Sequence, residues 1–235
     1  MENASINRIV NLDYAASTPL RAEAVSAQLA YDSSDIAGAN PNSLHSLGRK
    51  AQAALESARR DIAKTFGPRV RASEVVFTGA GTESNYMALM GLSQAARSRD
   101  AKRCRVIVSA IEHDSILDNL GQLRAAGFTV DVVKPCRKGF ITPEALESLL
   151  GRDVALVSIM LANNETGVVQ PIEDLARAAH SCGALFHTDA VQGWLHIPVD
   201  VQRLGVDALS VAGHKVGGPV GIGALYLKNR TPFAP

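Results

Sequence analysis

The sequence predicts an α/β fold: a three-layer sandwich built on a mainly parallel seven-stranded sheet. Three observations carry that expectation. Short apolar runs of strand length recur along the chain, amphipathic stretches of helix length separate most of them, and helix start and stop signals fall where one pattern gives way to the other. That alternation is the signature of parallel strands joined by helical crossovers.

The first 47 residues carry loop signals, Ser17-Thr18-Pro19 and Gly38 to Ser43, and are expected to form an arm outside the sheet, leaving 48–235 to hold the core. A helical pattern then runs from Gly48 to Phe66, followed by a strand from Glu74 to Thr78 and a helix from Ser84 to Ala96. Strand Arg105 to Ser109, helix Ser115 to Ala126 and strand Thr129 to Val133 come next. Thr142-Pro143-Glu144 offers a hydroxyl cap, a first-turn proline and an early acid, so a helix is expected from Pro143 to Leu150. Strand Ala155 to Met160, helix Ile172 to Cys182 and strand Ala184 to Phe186 continue the alternation, and strands Ala208 to Val211 and Ile222 to Leu227 close it. Gly127 and Gly183 follow two of these helices and suit the left-handed residue that often ends one.

Composition narrows the function classes. With 46% hydrophobic and 20% charged residues in 235, the chain buries a full core. A formal charge of +1 without a basic stripe gives no reason to expect nucleic acid or an anionic membrane as partner. No apolar run approaches the roughly 20 residues a spanning helix needs, and Met1-Glu2-Asn3-Ala4 does not begin a signal peptide, so a cytoplasmic location is expected. Cys104, Cys136 and Cys182 form no Cys-x-x-Cys pair and suit a reducing compartment.

The chemistry-bearing motifs sit at expected strand ends. Ser210-Val211-Ala212-Gly213-His214-Lys215, with His187-Thr188-Asp189-Ala190-Val191-Gln192, looks like a pyridoxal phosphate (PLP) site. PLP needs an amine to condense with its aldehyde and an anion to keep its pyridine nitrogen protonated, roles that suit Lys215 and Asp189. Desolvation and a neighbouring cation such as protonated His214 would favour the free amine of Lys215. Asp189 is expected just past its strand, held ionised by the ring's charge. Phe77 to Asn85 runs from strand into helix through two glycines, a design that cradles an anion at Gly81 and Thr82, although a plain capping turn reads the same way. It lacks the Gly-Lys-Ser/Thr ending of a Walker A loop. Beyond the strand ending at Met160, Asn164 is placed to donate to a phenolic oxygen, though Asn163 to Gly167 also reads as a turn. His113, after the strand ending at Ser109, is suited to stacking on a planar ring and moving protons, and the Gln192 amide is expected to reach the same ring.

In this order the residues resemble the fold-type I PLP enzymes, specifically the class V aminotransferase family and its cysteine desulfurase branch. Leu12 to Pro19, Asn40 to Ser43 with His45 and Gly48, Thr82 to Asn85, Glu112-His113, Asn163 to Gln170, His187 to Gln192 and Gly213 to Lys215 carry the resemblance, which covers essentially the whole chain. It implies that Lys215 holds the cofactor and takes the substrate α-proton, that Asp189 pairs with the pyridinium, and that His113 stacks on the ring as an acid-base group. Asn164 and Gln192 would contact the ring hydroxyl, and Gly81, Thr82 and His214 the phosphate. L-cysteine would be the substrate, its sulfur leaving to an enzyme cysteine as a persulfide with alanine as co-product, in a homodimer that serves a sulfur-acceptor protein such as one in iron–sulfur cluster assembly.

Two departures from the family pattern stand out. Ala212 falls where a serine hydroxyl usually meets the phosphate, a lost hydrogen bond of about 0.5–1.5 kcal/mol. The resemblance also implies a small C-terminal domain after Pro235, carrying the sulfur-accepting cysteine and the substrate-binding arginine, so 48–235 is expected to be the PLP-binding large domain of a truncated chain or one completed by a second chain. None of the three cysteines matches the family's nucleophile. Another class V lyase or transaminase, such as a selenocysteine lyase, and a non-catalytic PLP-binding module both remain open at this level.

Overall fold

A computed structural model describes residues 10–234. Its seven strands are β1 (Val75–Thr78), β2 (Arg105–Ser109), β3 (Thr129–Val133), β4 (Val154–Ser158), β5 (Leu185–Asp189), β6 (Ala208–Ala212) and β7 (Gly223–Leu227), in one sheet of order β1-β7-β6-β5-β4-β2-β3. The block from β3 to β6 is parallel, while β7 runs antiparallel to both β6 and β1. The sheet is therefore mixed but mostly parallel.

The helices are α1 (Ala22–Asp32), α2 (Ser46–Phe66), α3 (Gly81–Met87), α4 (Ser93–Arg99), α5 (Asp114–Leu117), α6 (Leu120–Ala125), α7 (Pro143–Glu147), α8 (Ile172–Ser181) and α9 (Val201–Leu204). Alternation along each strand sorts them into two layers. Ile107, Val157 and Leu209 pack with Phe66 of α2, Leu146 of α7, Leu175 of α8 and Val201 of α9. Their strand neighbours Val106, Val108, Leu156 and Ala208 face the other way, against Ala96 of α4 and Leu120 and Leu123 of α6. β2, β4 and β6 are buried on both faces and read as continuous apolar runs rather than alternating ones, while the edge strand β3 leaves Thr129 and Val132 exposed.

The structure corrects several expected boundaries. The helix expected from Ser84 to Ala96 starts at Gly81, and a π-helical turn over Ala88–Leu92 divides it into α3 and α4. The helix expected from Ser115 to Ala126 is broken into α5 and α6. β4 stops at Ser158, and β5 extends through His187 and Thr188 to Asp189, because these polar side chains are paired inside the sheet instead of being solvated. Within residues 10–47, α1 was not expected; it buries no residue, so it carries no apolar stripe for a periodicity reading to detect. Thr142 caps α7 by accepting from Ala145 N–H at 3.2 Å, and Gly127 and Gly183 adopt φ of 84° and 78°, as the sequence led us to expect.

Candidate active site

The carboxyl ends of β2, β4, β5 and β6 and the turn after β1 meet at one cavity. Gly81, Thr82, His113, Asn164, Asp189, Gln192, His214 and Lys215 all line it. Sequence reasoning missed four other wall residues with a bearing on its chemistry: Asn85, Ser115, Met160 and Val191.

Asp189 is the last residue of β5 and is only 4% exposed. Its Oδ1 accepts the Val191 N–H at 2.9 Å and its Oδ2 the Asn85 Nδ2–H at 2.6 Å. Burial nevertheless pushes its carboxyl above the ordinary range, with those two hydrogen bonds opposing the shift. A buried acid in this state gains most from a cation in front of it.

Lys215 ends a short helical turn after β6, and its Nζ donates to the carbonyls of Ala15 at 2.6 Å and Ala16 at 2.9 Å. The 15–21 segment is itself tied to this turn through Thr18 N–H to His214 O and Arg21 N–H to Gly217 O. Desolvation lowers the Lys215 pKa, with Asp189 and Asp13 opposing. A protonated His214 is not the cause: burial and the adjacent lysine push His214 itself towards its neutral form. Desolvation alone does what the sequence reading divided between two effects.

His113 caps α5, its Nδ1 accepting the Ser115 N–H at 3.0 Å and lying 2.9 Å from the Ser115 hydroxyl. Of the two adjacent asparagines, Asn163 makes the turn. Its Oδ1 accepts from Glu165 N, Thr166 N and Thr166 Oγ1, and its Nδ2 donates to Ile111 O. That leaves Asn164 on the cavity wall, and the Gln192 amide, also on the wall, donates to Ala15 O at 2.8 Å.

The first turn of α3 closes the cavity on another side with backbone N–H groups that have no intrahelical acceptor. A Cβ at Gly81 would lie 2.8 Å from Val191 Cγ2 and 3.3 Å from Ala212 Cβ, so a side chain there would crowd the cradle. An anion cradle, a desolvated amine and a buried acid around one cavity are the groups PLP requires, and the residues present fit it.

Two further buried groups lie just outside the cavity. Glu112 accepts from Ser109 Oγ and, at 2.8 Å, from Met160 N–H, so it links the ends of β2 and β4. Desolvation pushes its pKa up to about 8, and the charge of Asp189 adds to the rise. On β5, His187 sits between Ser158 of β4 at 2.8 Å and Ser210 of β6 at 2.9 Å, and burial holds its pKa down at about 3. The polar residues inside apolar strands were the available sign of the second group.

Known proteins are similar to this chain in sequence and in fold. A family model described as aminotransferase class-V matches residues 10–233. Cysteine desulfurase IscS of Dictyoglomus turgidum is 42% identical over 98% of this chain and 57% of its own length. Cysteine desulfurase NifS of Azotobacter vinelandii is 40% identical over 96% of this chain and 54% of its own. Among solved structures, that described as SspA in complex with cysteine superposes with a TM-score of 0.87 at 38% identity, covering 95% of this chain and 63% of that one. A NifS-like protein gives 0.86 at 35% identity over 95% of this chain and 60% of that one. The chain thus spans a little over half the length of the curated relatives it matches.

Proposed function

The chain belongs to the class-V aminotransferase family, a PLP-dependent family, and from that premise we propose that it is the cofactor-binding large domain of a cysteine desulfurase. The overall reaction is balanced when L-cysteine and a thiol give alanine and a persulfide: the Cβ–S bond breaks, sulfur joins the accepting thiol, and a proton ends on carbon. PLP, when bound, supplies the electron sink that makes the substrate Cα–H acidic.

The chain's own residues do the rest. Lys215 Nζ is the amine that holds the cofactor and then carries the proton from the substrate Cα, a role favoured by the desolvation that lowers its pKa. Asp189 keeps a proton on the ring nitrogen by presenting a buried carboxylate. His113 moves protons beside the substrate, while Asn164 and Gln192 donate to the ring oxygen. Gly81, Thr82 and His214 receive the phosphate, with the α3 N-terminus contributing its dipole. Of the 1–47 segment expected to form an arm, residues 1–9 lie outside the described residues; the part ahead of α2 acts as an arm beside the large domain, and two copies pair as a homodimer in the cytoplasm. No helix among the described residues is long and apolar enough to cross a membrane.

The observation that carries the reading is the convergence of Lys215, Asp189, His113, Asn164 and Gln192 on one cavity from four strand ends. The sulfur acceptor lies elsewhere, because none of Cys104, Cys136 and Cys182 lines that cavity. The test is borohydride reduction of the protein with PLP, followed by peptide mass measurement with and without L-cysteine. The reading expects an adduct on Lys215 that diminishes when cysteine is present. An adduct unaffected by cysteine would make the chain a PLP-binding module of another kind, and no adduct at Lys215 would reject the cofactor assignment.

A further inference from the structure

Asn85 belongs to none of the roles above, yet it is the most constrained polar side chain on the cavity wall. It lies in the second turn of α3, is 1% exposed, and commits both hydrogens of its amide: one to Asp189 Oδ2 at 2.6 Å and one to Ser115 Oγ at 2.8 Å. The amide oxygen has no partner among the described residues. Turning the amide over would set that oxygen against the Asp189 carboxylate, so only one orientation suits an ionised Asp189.

The chain of bonds continues past Ser115. Its hydroxyl accepts from Asn85, which leaves its single proton available for His113 Nδ1, and its backbone N–H points at the same nitrogen. Nδ1 therefore meets only donors, and the neutral imidazole carries its own proton on Nε2. Every bond runs outward from the Asn85 amide, to a carboxylate at one end and a ring nitrogen at the other.

We propose that Asn85 is a positioning residue that sets the protonation pattern of the site, holding Asp189 as a pure acceptor and, through Ser115, holding His113 as the Nε2–H tautomer. The proposal rests on the reading of the cavity as a cofactor site. Its physical content is that a carboxylate facing a ring nitrogen needs a fixed direction and a permanent donor behind it, which an amide supplies without itself titrating.

The test compares wild type with Asn85→Leu, which keeps the volume and removes both donors, and Asn85→Asp, which keeps the shape and serves if the leucine variant does not fold. In ligand-free protein carrying carboxyl-labelled aspartate, the Asp189 titration midpoint, assigned with Asp189→Asn, moves upward in Asn85→Leu. With PLP added, affinity falls by about tenfold to a hundredfold in Asn85→Leu, the worth of a hydrogen bond to a charged group. In Asn85→Asp the loss deepens as pH rises, because the new carboxyl donates to Asp189 only while protonated. Nitrogen resonances of His113 in the neutral ring show an unprotonated Nδ1 in wild type. A merely space-filling Asn85 would leave the Asp189 midpoint and the PLP affinity of a folded variant within twofold of wild type, and that result, or a protonated Nδ1, overturns the proposal. Failure of wild type to bind PLP would instead remove the cofactor reading, while the ligand-free titration still judges Asn85.

Discussion

Replacing Glu112 with glutamine isolates the cost of a buried carboxyl placed beside a second one. Glu112 is 6% exposed, one oxygen takes both available donors, and Oε2 has no partner among the described residues. Desolvation is the main reason its pKa stands at about 8 rather than 4.5. The unfolded chain releases this proton as pH rises past about 4.5, while the folded chain keeps it until about 8. Between those values the unfolded state binds fewer protons, so this group's contribution to stability falls with rising pH and levels off above the folded value. At about 1.4 kcal/mol per unit the full window is worth on the order of 5 kcal/mol, an upper bound.

Glutamine has no such proton. Its amide oxygen still accepts from Ser109 and Met160, and its NH₂ lies unpartnered where Oε2 was, at a cost of about 1–3 kcal/mol that does not vary with pH. Urea unfolding of both proteins from pH 5 to pH 9 should therefore show Glu112→Gln equal to or weaker than wild type at the acid end and stronger by several kcal/mol at the alkaline end. A stability difference that stays flat within about 0.5 kcal/mol across that range would refute the burial argument, because only a group whose folded and unfolded pKa values differ generates a slope.

Three other outcomes follow from the geometry. His187, neutral down to about pH 3, should make the protein lose stability as pH falls below about 6.5, where the unfolded imidazole takes up a proton that the folded one refuses; acid titration of unfolding in His187→Leu should lack that slope, while its midpoint at pH 7 drops because Ser158 and Ser210 lose their shared partner. Gly81→Val should fold, by circular dichroism, but weaken PLP binding at least tenfold by spectrophotometric titration, since even a Cβ would lie 2.8 Å from Val191 Cγ2. Phe66→Ala should cost about 3–5 kcal/mol by chemical denaturation, because Phe66 is fully buried and packs on Trp194 and Tyr226 with ring centroids 6.0 and 6.1 Å away.

Much of the fold was legible because burial on both faces leaves a plain mark on parallel strands. The run Arg105–Ser109 appears in the structure at its expected limits, and so does the more exposed edge run Thr129–Val133. What escaped was of two kinds. α1 buries nothing and has no stripe, and α9 is a single turn held by Asp200 capping Gln202 and Arg203. The π-helical turn over Ala88–Leu92 leaves the apolar pattern continuous, so it could not be distinguished from one unbroken helix.

The sequence by itself determined the residue types and their order: a lysine after β6, an acid and a glutamine after β5, an asparagine after β4, a histidine after β2 and a glycine-rich turn after β1. Their order along the chain was informative because parallel strands deliver their carboxyl ends to one edge of the sheet. Only the tertiary structure decided which of Asn163 and Asn164 makes the turn, that Asn85 of α3 meets Asp189 of β5, and that Glu112 keeps its proton while His187 refuses one. Those outcomes depend on which groups are removed from water together and on what stands within hydrogen-bonding reach once they are.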